Sequence, residues 1–372
     1  MSSSGSRLDE LFMTECLLLA QKGAGFVSPN PMVGAVVVRG GKVISRGYHK
    51  KFGGPHAEVN ALRSSGGSVR GATLYVNLEP CNFYGKTPPC TDLIISSRVR
   101  RVVVGTKDPN PVVAGEGIQA LRRAGIDVDV GVLDAECRKL NEFFFKFITS
   151  GLPYVTLKLA QTLDGKIADK HGNSKWISNA SSRTLTHYLR SRYDAVLVGA
   201  NTVIVDNPRL TVRHVEGRDP MRIVVSKRLS ISPGARVFSQ RRAARRVVFT
   251  GANAVRRQRR KIMQLKRKNV EVIELSSDGN EDLSLNRVLR ILGERGISSL
   301  LVEGGATTFS MFLNQNCVDK IMFFVAPRIL GNGLGTFRGV RSCVLGREVQ
   351  LRDISTWNLG SDIVVEGYVK GS

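Results

Sequence analysis

The chain has 372 residues, 42% hydrophobic and 23% charged, a composition ordinary for folded protein and a length sufficient for two domains that each bury a core. Lys and Arg outnumber Asp and Glu by 55 to 31, a net charge of +24 that draws anionic ligands toward the surface. No apolar run approaches the roughly 18 residues of a bilayer span, and the start Met1-Ser2-Ser3-Ser4-Gly5-Ser6 lacks signal-peptide character, so a cytoplasmic protein is expected.

From the start, helical and extended patterns alternate. The spacing of apolar residues predicts a helix over 8–23, strands over 33–38 and 42–48, and a helix over 54–65 with Pro55 at its first position. A strand over 72–78, a helix over 91–97, a strand over 100–105, a helix over 115–124 and a strand over 126–130 follow. Such alternation implies a sheet covered by helices, an α/β layered domain. A helix over 134–149 ends in Phe143, Phe144, Phe145 and Phe147, rings read as packing between domains rather than as a ligand box. Ser150-Gly151-Leu152-Pro153 breaks it, which puts one domain at 1–150 and a second at 151–372.

The second domain alternates again, with strands near 154–159, 194–199, 221–226, 246–250, 270–274, 298–303, 318–326 and 362–369. Helices are expected near 180–192, 254–266, 282–293 and 305–315. No Gly-x-Gly-x-x-Gly opens a strand-to-helix turn, so an ordinary dinucleotide-binding fingerprint is missing. Leu300-Leu301-Val302-Glu303-Gly304-Gly305-Ala306-Thr307 instead runs from a strand through a glycine pair into a helix. Backbone N–H groups there can approach a phosphate, although a plain tight turn reads equally well.

The chemistry concentrates in Pro55-His56-Ala57-Glu58, Pro80-Cys81 and Pro89-Cys90. One imidazole and two thiols leave the fourth tetrahedral position of Zn²⁺ to water, the arrangement of a catalytic rather than a structural site. Glu58, two residues beyond His56, is placed to take a proton from that water and return it to a leaving amine, as in the zinc-dependent deaminases. Cys81 is expected at the carboxyl end of a strand and Cys90 at a helix start, where the dipole favours thiolate. Cys16, Cys137, Cys317 and Cys343 read as free thiols of a reducing compartment.

With these residues go Asn30-Pro31-Met32-Val33-Gly34, Gly85-Lys86-Thr87-Pro88-Pro89-Cys90 and Asp108-Pro109-Asn110-Pro111. In the second half stand Thr156-Leu157-Lys158, Leu163-Asp164-Gly165-Lys166-Ile167-Ala168, Lys175-Trp176-Ile177-Ser178, Asp206-Asn207-Pro208 and Val302-Glu303-Gly304-Gly305. Almost end to end, the chain resembles the bifunctional pyrimidine deaminase/reductases of riboflavin biosynthesis. The resemblance implies a cytidine-deaminase-like α/β/α layered domain followed by a dihydrofolate-reductase-like α/β domain, one Zn²⁺ per chain, and NADPH. It implies zinc-hydroxide deamination of a diaminopyrimidinone ribosyl phosphate, then reduction of the ribosyl group to ribityl, commonly in a homo-oligomer.

Residue by residue, the resemblance places Asn30, His49, Ala57, Phe83 and Lys86 around the deaminase substrate. Phe83 departs from the family, which carries histidine there; a ring can stack on a pyrimidine but cannot hydrogen-bond it. Lys158, Ser174, Arg190, Asp206, Leu210, Arg213 and Glu303 match the reductase substrate pocket. Ala160, Trp176, Thr202, Asp206, Ser226, Gly304 and Gly305 match positions along the cofactor. Residues 241–268 hold twelve Lys or Arg and no Asp or Glu, read as a solvated face of the reductase. Two alternatives stay open: a reductase with an impaired deaminase half, invited by Phe83, and a nucleic-acid deaminase carrying a basic appendage.

Overall fold

A computed structural model of the chain describes residues 3–85, 88–111, 113–239, 244–275, 283–340 and 346–371. Lys86, Cys343 and residues 241–243 of the basic run lie outside the described residues. The chain divides into two compact units, Met1–Gly151 and Leu152–Ser372. Among the described residues no helix is long and apolar enough to cross a membrane.

The first unit comprises α1 (Ser3–Gln21), β1 (Gly34–Arg39), β2 (Lys42–Tyr48), α2 (Ala57–Arg63), β3 (Thr73–Leu78), α3 (Cys90–Ser96), β4 (Arg101–Thr106), α4 (Glu116–Arg123), β5 (Asp127–Val130), α5 (Asp134–Leu140) and α6 (Glu142–Ser150). Its sheet runs β2-β1-β3-β4-β5, with β1 antiparallel to both neighbours and β3, β4 and β5 parallel. The central strands read as continuous apolar runs because both faces are covered. Ala35 and Val37 of β1 join Leu74, Val76, Val102 and Val104 beneath α2, α3 and α4, whereas Val36, Val38, Tyr75 and Val103 meet Phe12, Met13 and Cys16 of α1. That two-residue alternation across a twice-covered sheet makes the α/β/α layers.

The helix carrying His56 begins at Ala57, not at Pro55, and His56 is its N-cap with extended backbone (φ −70°, ψ 167°). The helix expected over 134–149 is broken at Asn141, whose side chain accepts from Met32 N at 2.8 Å and donates to Met32 O at 2.9 Å. Phe144 packs in the core of the first unit, with Phe145 and Ile148 against it.

The second unit begins with β6 (Tyr154–Thr162), β7 (Lys166–Ala168), α7 (Ala180–Arg192), β8 (Ala195–Gly199), α8 (Ala200–Asp206) and β9 (Met221–Val225). It continues through β10 (Arg246–Gly251), α9 (Ala252–Arg257), α10 (Arg259–Arg267), β11 (Val270–Leu275), α11 (Leu285–Glu294), β12 (Ser299–Val302), α12 (Ala306–Asn314), β13 (Lys320–Ala326), β14 (Leu334–Gly335), β15 (Leu351–Leu359) and β16 (Asp362–Val369). Nine strands form one sheet, β11-β10-β9-β8-β12-β6-β13-β16-β15, parallel from β11 to β13 and antiparallel at β16 and β15. Leu197, Ile223 and Phe249 face α11 and α12, and Val196, Val224 and Val248 face Val203, Ala254 and Leu265 of α8, α9 and α10. The single helix expected over 254–266 is thus two, and β7, α8, β14 and β15 are additional to the sequence reading.

The register of α2 depends on Gly47, because a Cβ there would stand 2.2 Å from Ala61 N and 2.4 Å from Ala57 O, both backbone atoms. Gly47→Ala is therefore expected to destabilise the first unit by about 1–3 kcal/mol and to lower its zinc content. Gly67→Ala, which meets nothing within 4 Å, should stay within about 0.5 kcal/mol of the native chain. Urea denaturation with metal analysis checks both.

Candidate active sites

Three side chains converge at the carboxyl edge of the first sheet. His56 precedes α2, Cys81 follows β3 by three residues, and Cys90 opens α3. Their ligand atoms lie within 4.8 Å of one another, with His56 Nδ1 3.5 Å from Cys81 Sγ and 3.3 Å from Cys90 Sγ. Bonds of about 2.0 Å to nitrogen and 2.3 Å to sulfur at tetrahedral angles leave ligand atoms about 3.5 Å apart, so the set fits zinc. The donor types agree, since one imidazole and two thiolates suit a borderline-soft ion rather than Mg²⁺ or Ca²⁺.

Local forces prepare these ligands. The first amide of α3 has no intrahelical acceptor and donates to Cys81 Sγ at 3.4 Å. Hydrogen bonding from Cys90, working against burial and aided by His56, holds the Cys81 thiol well below its ordinary range, while its partner Cys90 is pushed up. Glu79 fixes the chain just before Cys81: its carboxylate accepts from the amides of Asp108 (3.2 Å), Gly115 (3.0 Å) and Ile118 (3.2 Å). Gly117 permits that approach, because a Cβ would stand 2.0 Å from Pro80 O.

Glu58 is only 3% exposed, and its Oε2 has no hydrogen-bond partner among the described residues. Burial, reinforced by Cys81, pushes the carboxyl up to about 7. An unsatisfied buried carboxylate oxygen is costly. Beside an N,S,S donor set such an oxygen is placed to accept a proton from water that a bound metal would activate.

The cavity in front of this group measures about 280 Å³ and is lined by Asn30, His49, His56, Glu58, Cys81 and Phe83 among others. His49 Nδ1 lies 3.0 Å from Pro55 O, which can only accept, so Nδ1 carries hydrogen and Nε2 takes the Asn30 amide at 3.3 Å. Burial holds His49 below its ordinary range and keeps it neutral in this role. Ala57 does not line the cavity; its side chain sits in the core. Lys86 lies outside the described residues. Asp108, Asn110 and Phe144 also line the wall. The Asp108-Pro109-Asn110-Pro111 run, which follows β4, was the sequence signal for the first two.

In the second unit a cavity of about 340 Å³ opens at the carboxyl ends of β6, β8 and β12. It gathers Lys158, Ser174, Arg190, Asp206, Leu210 and Glu303, and also Ala160, Trp176, Thr202, Gly304 and Gly305. Arg213 and Ser226 do not line it: Arg213 donates to Thr211 Oγ1 at 3.1 Å, and Ser226 faces a neighbouring hollow. Arg190 grips Glu303 with two parallel hydrogen bonds of 2.6 and 2.7 Å, a fork that fixes the carboxylate. Burial pushes Glu303 up, yet Arg190, with Lys158 and His187 beyond, outweighs it and holds the carboxyl below its usual range. Ser174 Oγ donates to Asp206 Oδ1 at 2.8 Å. Ile167, Lys175 and Ile177 line this cavity too, within motifs already singled out by sequence.

The chain matches two known families: the cytidine and deoxycytidylate deaminase zinc-binding region over residues 6–106, and the RibD C-terminal domain over residues 153–365. The riboflavin biosynthesis protein RibD of Aquifex aeolicus is 46% identical over 96% of this chain and 98% of its own length. The RibD of Escherichia coli is 36% identical over 95% and 98%. The crystal structure of a diaminohydroxyphosphoribosylaminopyrimidine deaminase/5-amino-6-(5-phosphoribosylamino)uracil reductase from Thermotoga maritima superposes with a TM-score of 0.86 at 44% identity, covering 98% of this chain and 99% of that one. Acinetobacter baumannii RibD gives 0.86 at 33% identity, covering 98% and 99%. The basic run 241–268 falls inside the C-terminal match, and its described part builds β10, α9 and α10, so it is part of that fold and not an appendage.

Lys158 gives this site a measurable signature. Its ammonium sits 4.6 Å over the Phe324 ring, and burial, opposed by Glu303, pushes it down to about 8 from 10.5. The folded state therefore holds fewer protons than the unfolded chain between those values, and unfolding free energy rises with pH across that window. In a carbon-13 methylated sample, one lysine signal should titrate near pH 8 and be missing from Lys158→Met; a midpoint above 10 for every lysine contradicts this.

Proposed function

Because this chain belongs to the RibD family of riboflavin biosynthesis, we propose that its residues 1–150 and 151–372 act in turn on one phosphorylated pyrimidine nucleotide. The chain is a bifunctional enzyme, a zinc-dependent pyrimidine deaminase and an NADPH-dependent reductase. Its substrate is diaminohydroxyphosphoribosylaminopyrimidine; deamination gives 5-amino-6-(5-phosphoribosylamino)uracil, whose ribosyl group is then reduced to ribityl. We place this enzyme in the cytoplasm as a homo-oligomer, with no role for nucleic acid.

His56, Cys81 and Cys90 would hold the zinc, whose Lewis acidity would make water a nucleophile near neutral pH. Glu58 takes the proton from that water at Oε2 and delivers it to the exocyclic nitrogen, so that one water is consumed and one ammonia leaves. The Asn30 amide is oriented by neutral His49 and keeps its carbonyl oxygen for the pyrimidine edge. Phe83 offers a face for ring stacking. Ala57 contributes its backbone N–H, the first of α2 and free of an intrahelical acceptor. Lys86 is assigned to the substrate on resemblance alone.

NADPH supplies the hydride of the second step. Lys158, Asp206 and Glu303 hold the opened sugar by charge-assisted hydrogen bonds, while Arg190 keeps Glu303 ionised and oriented. Ser174 and Leu210 complete the substrate pocket, while Arg213, which does not line it, is assigned on resemblance alone. Ala160, Trp176, Thr202 and Ser226 border the cofactor, and Gly304 and Gly305 leave backbone open for its diphosphate; a Cβ on Gly304 would press on Thr308 at 2.8 Å.

The observation that carries the deaminase half is the unpartnered Glu58 oxygen beside the nitrogen and two sulfurs. Glu58→Gln is expected to keep one zinc per chain and full NADPH oxidation on the deaminated intermediate, while ammonia release falls by about 10²–10⁴. Ammonia release at the native rate from this variant overturns the assignment.

A further inference from the structure

Between α8 and β9 the chain borders the reductase cavity, and residues 207–213 form neither helix nor strand. Backbone groups of such a run need partners from side chains or water. Three side chains supply them in succession. Arg190 Nη1 donates to Thr211 O at 3.3 Å, Asp219 Oδ1 accepts from Val212 N at 2.7 Å, and His187 Nδ1 accepts from Arg213 N at 3.1 Å. Leu210, which lines the cavity, heads this run with φ 55°. A left-handed leucine persists only where its surroundings hold it in place.

His187 and Arg190 stand three residues apart on α7 and therefore share a face. Arg190 is committed to Glu303, and the charge of that pair bears on the imidazole. The His187 ring is 4% exposed and meets the ring of His214 edge-on, with centroids 4.5 Å apart. An amide N–H can only donate, so Nδ1 carries no hydrogen and the ring is the Nε2–H tautomer. Burial, aided by Arg190, Arg213 and His214 and opposed by Glu303, pushes the imidazole down to about 4 and keeps it neutral. A charged ring would turn an N–H toward the Arg213 amide and lose the contact.

We propose that His187 is a positioning residue of the reductase: its Nδ1 holds the Arg213 amide and, with Arg190, fixes the run from Leu210 to Arg213 as part of the pocket wall. The proposal rests on this cavity being the reductase's substrate pocket. His187 does not line the cavity and acts through the residues it holds.

Steady-state reduction of 5-amino-6-(5-phosphoribosylamino)uracil tests this with two variants. His187→Leu fills the space without an acceptor and should raise KM for that uracil about tenfold, the size of one lost hydrogen bond, with KM for NADPH and ammonia release at native values. His187→Asn places an oxygen where Nδ1 stood and should bring KM back to within about threefold of native. Equal losses in the two variants, or a rise in both KM values for His187→Leu, mark the ring as packing alone and overturn the proposal. A nitrogen-15 spectrum of the five histidines of the native chain reads the same contact without substitution. At about pH 5.5, where an ordinary histidine is mostly charged, one neutral Nε2–H ring should be present and be missing from His187→Asn. A His187 ring with hydrogen on Nδ1 overturns the proposal as well. A native chain that does not reduce the uracil with NADPH overturns the reading of the cavity, and the proposal with it.

Discussion

The close approach of one imidazole nitrogen to two sulfurs is the constraint on which the first unit depends. His56, Cys81 and Cys90 are far apart in the chain and arrive from two helix starts and one strand end. No single contact could bring them together. The parallel pairing of β3 with β4 sets where Cys81 emerges, Glu79 ties that end to the amides at the start of α4, and Gly47 lets α2 lie against β2 closely enough to present His56. Asn77 and Asn141 bind the backbone near Met32 from two sides, which fixes the loop that carries Asn30. Once the three ligands are fixed, burial of Glu58 beside them follows, and with it a carboxyl pushed up to about 7.

The second unit meets a related problem with different means. It has no ligand cluster of that kind among its described residues; charge is organised instead by Arg190 gripping Glu303 beneath a desolvated Lys158. Buried ions of both signs side by side keep each other charged at the expense of stability, and here they define a polar wall opposite the glycine pair. Both units thus place chemistry at the carboxyl ends of parallel strands, where helix starts offer free amides and the sheet supplies rigidity.

Much of this could be read from sequence, for a physical reason. Strands such as β3, β4 and β8 are buried on both faces and leave unbroken apolar runs, and His56, Glu58, Cys81 and Cys90 sit in short segments whose prolines mark their ends. What escaped depends on tertiary partners. Asn141 looks like one more helical residue until its amide turns to Met32. Strand β15, Leu351–Leu359, lies at the sheet edge with exposed and half-buried residues and so carries no core pattern. Strands β7 and β14, of three and two residues, are too short for any periodicity. The structural part of Glu79 could not be inferred, because its acceptors' partners lie at 108, 115 and 118. The contact of His187 with the Arg213 amide follows from how α7 packs, which local pattern does not encode.

The central claim is that one zinc ion joins His56, Cys81 and Cys90 with an open corner toward Glu58. X-ray absorption at the zinc edge of the purified chain measures that shell directly. The account predicts one zinc per chain with two sulfur neighbours at about 2.3 Å and two nitrogen or oxygen neighbours at about 2.0 Å. Absence of zinc, a shell of four sulfurs, or a shell of oxygens alone contradicts it.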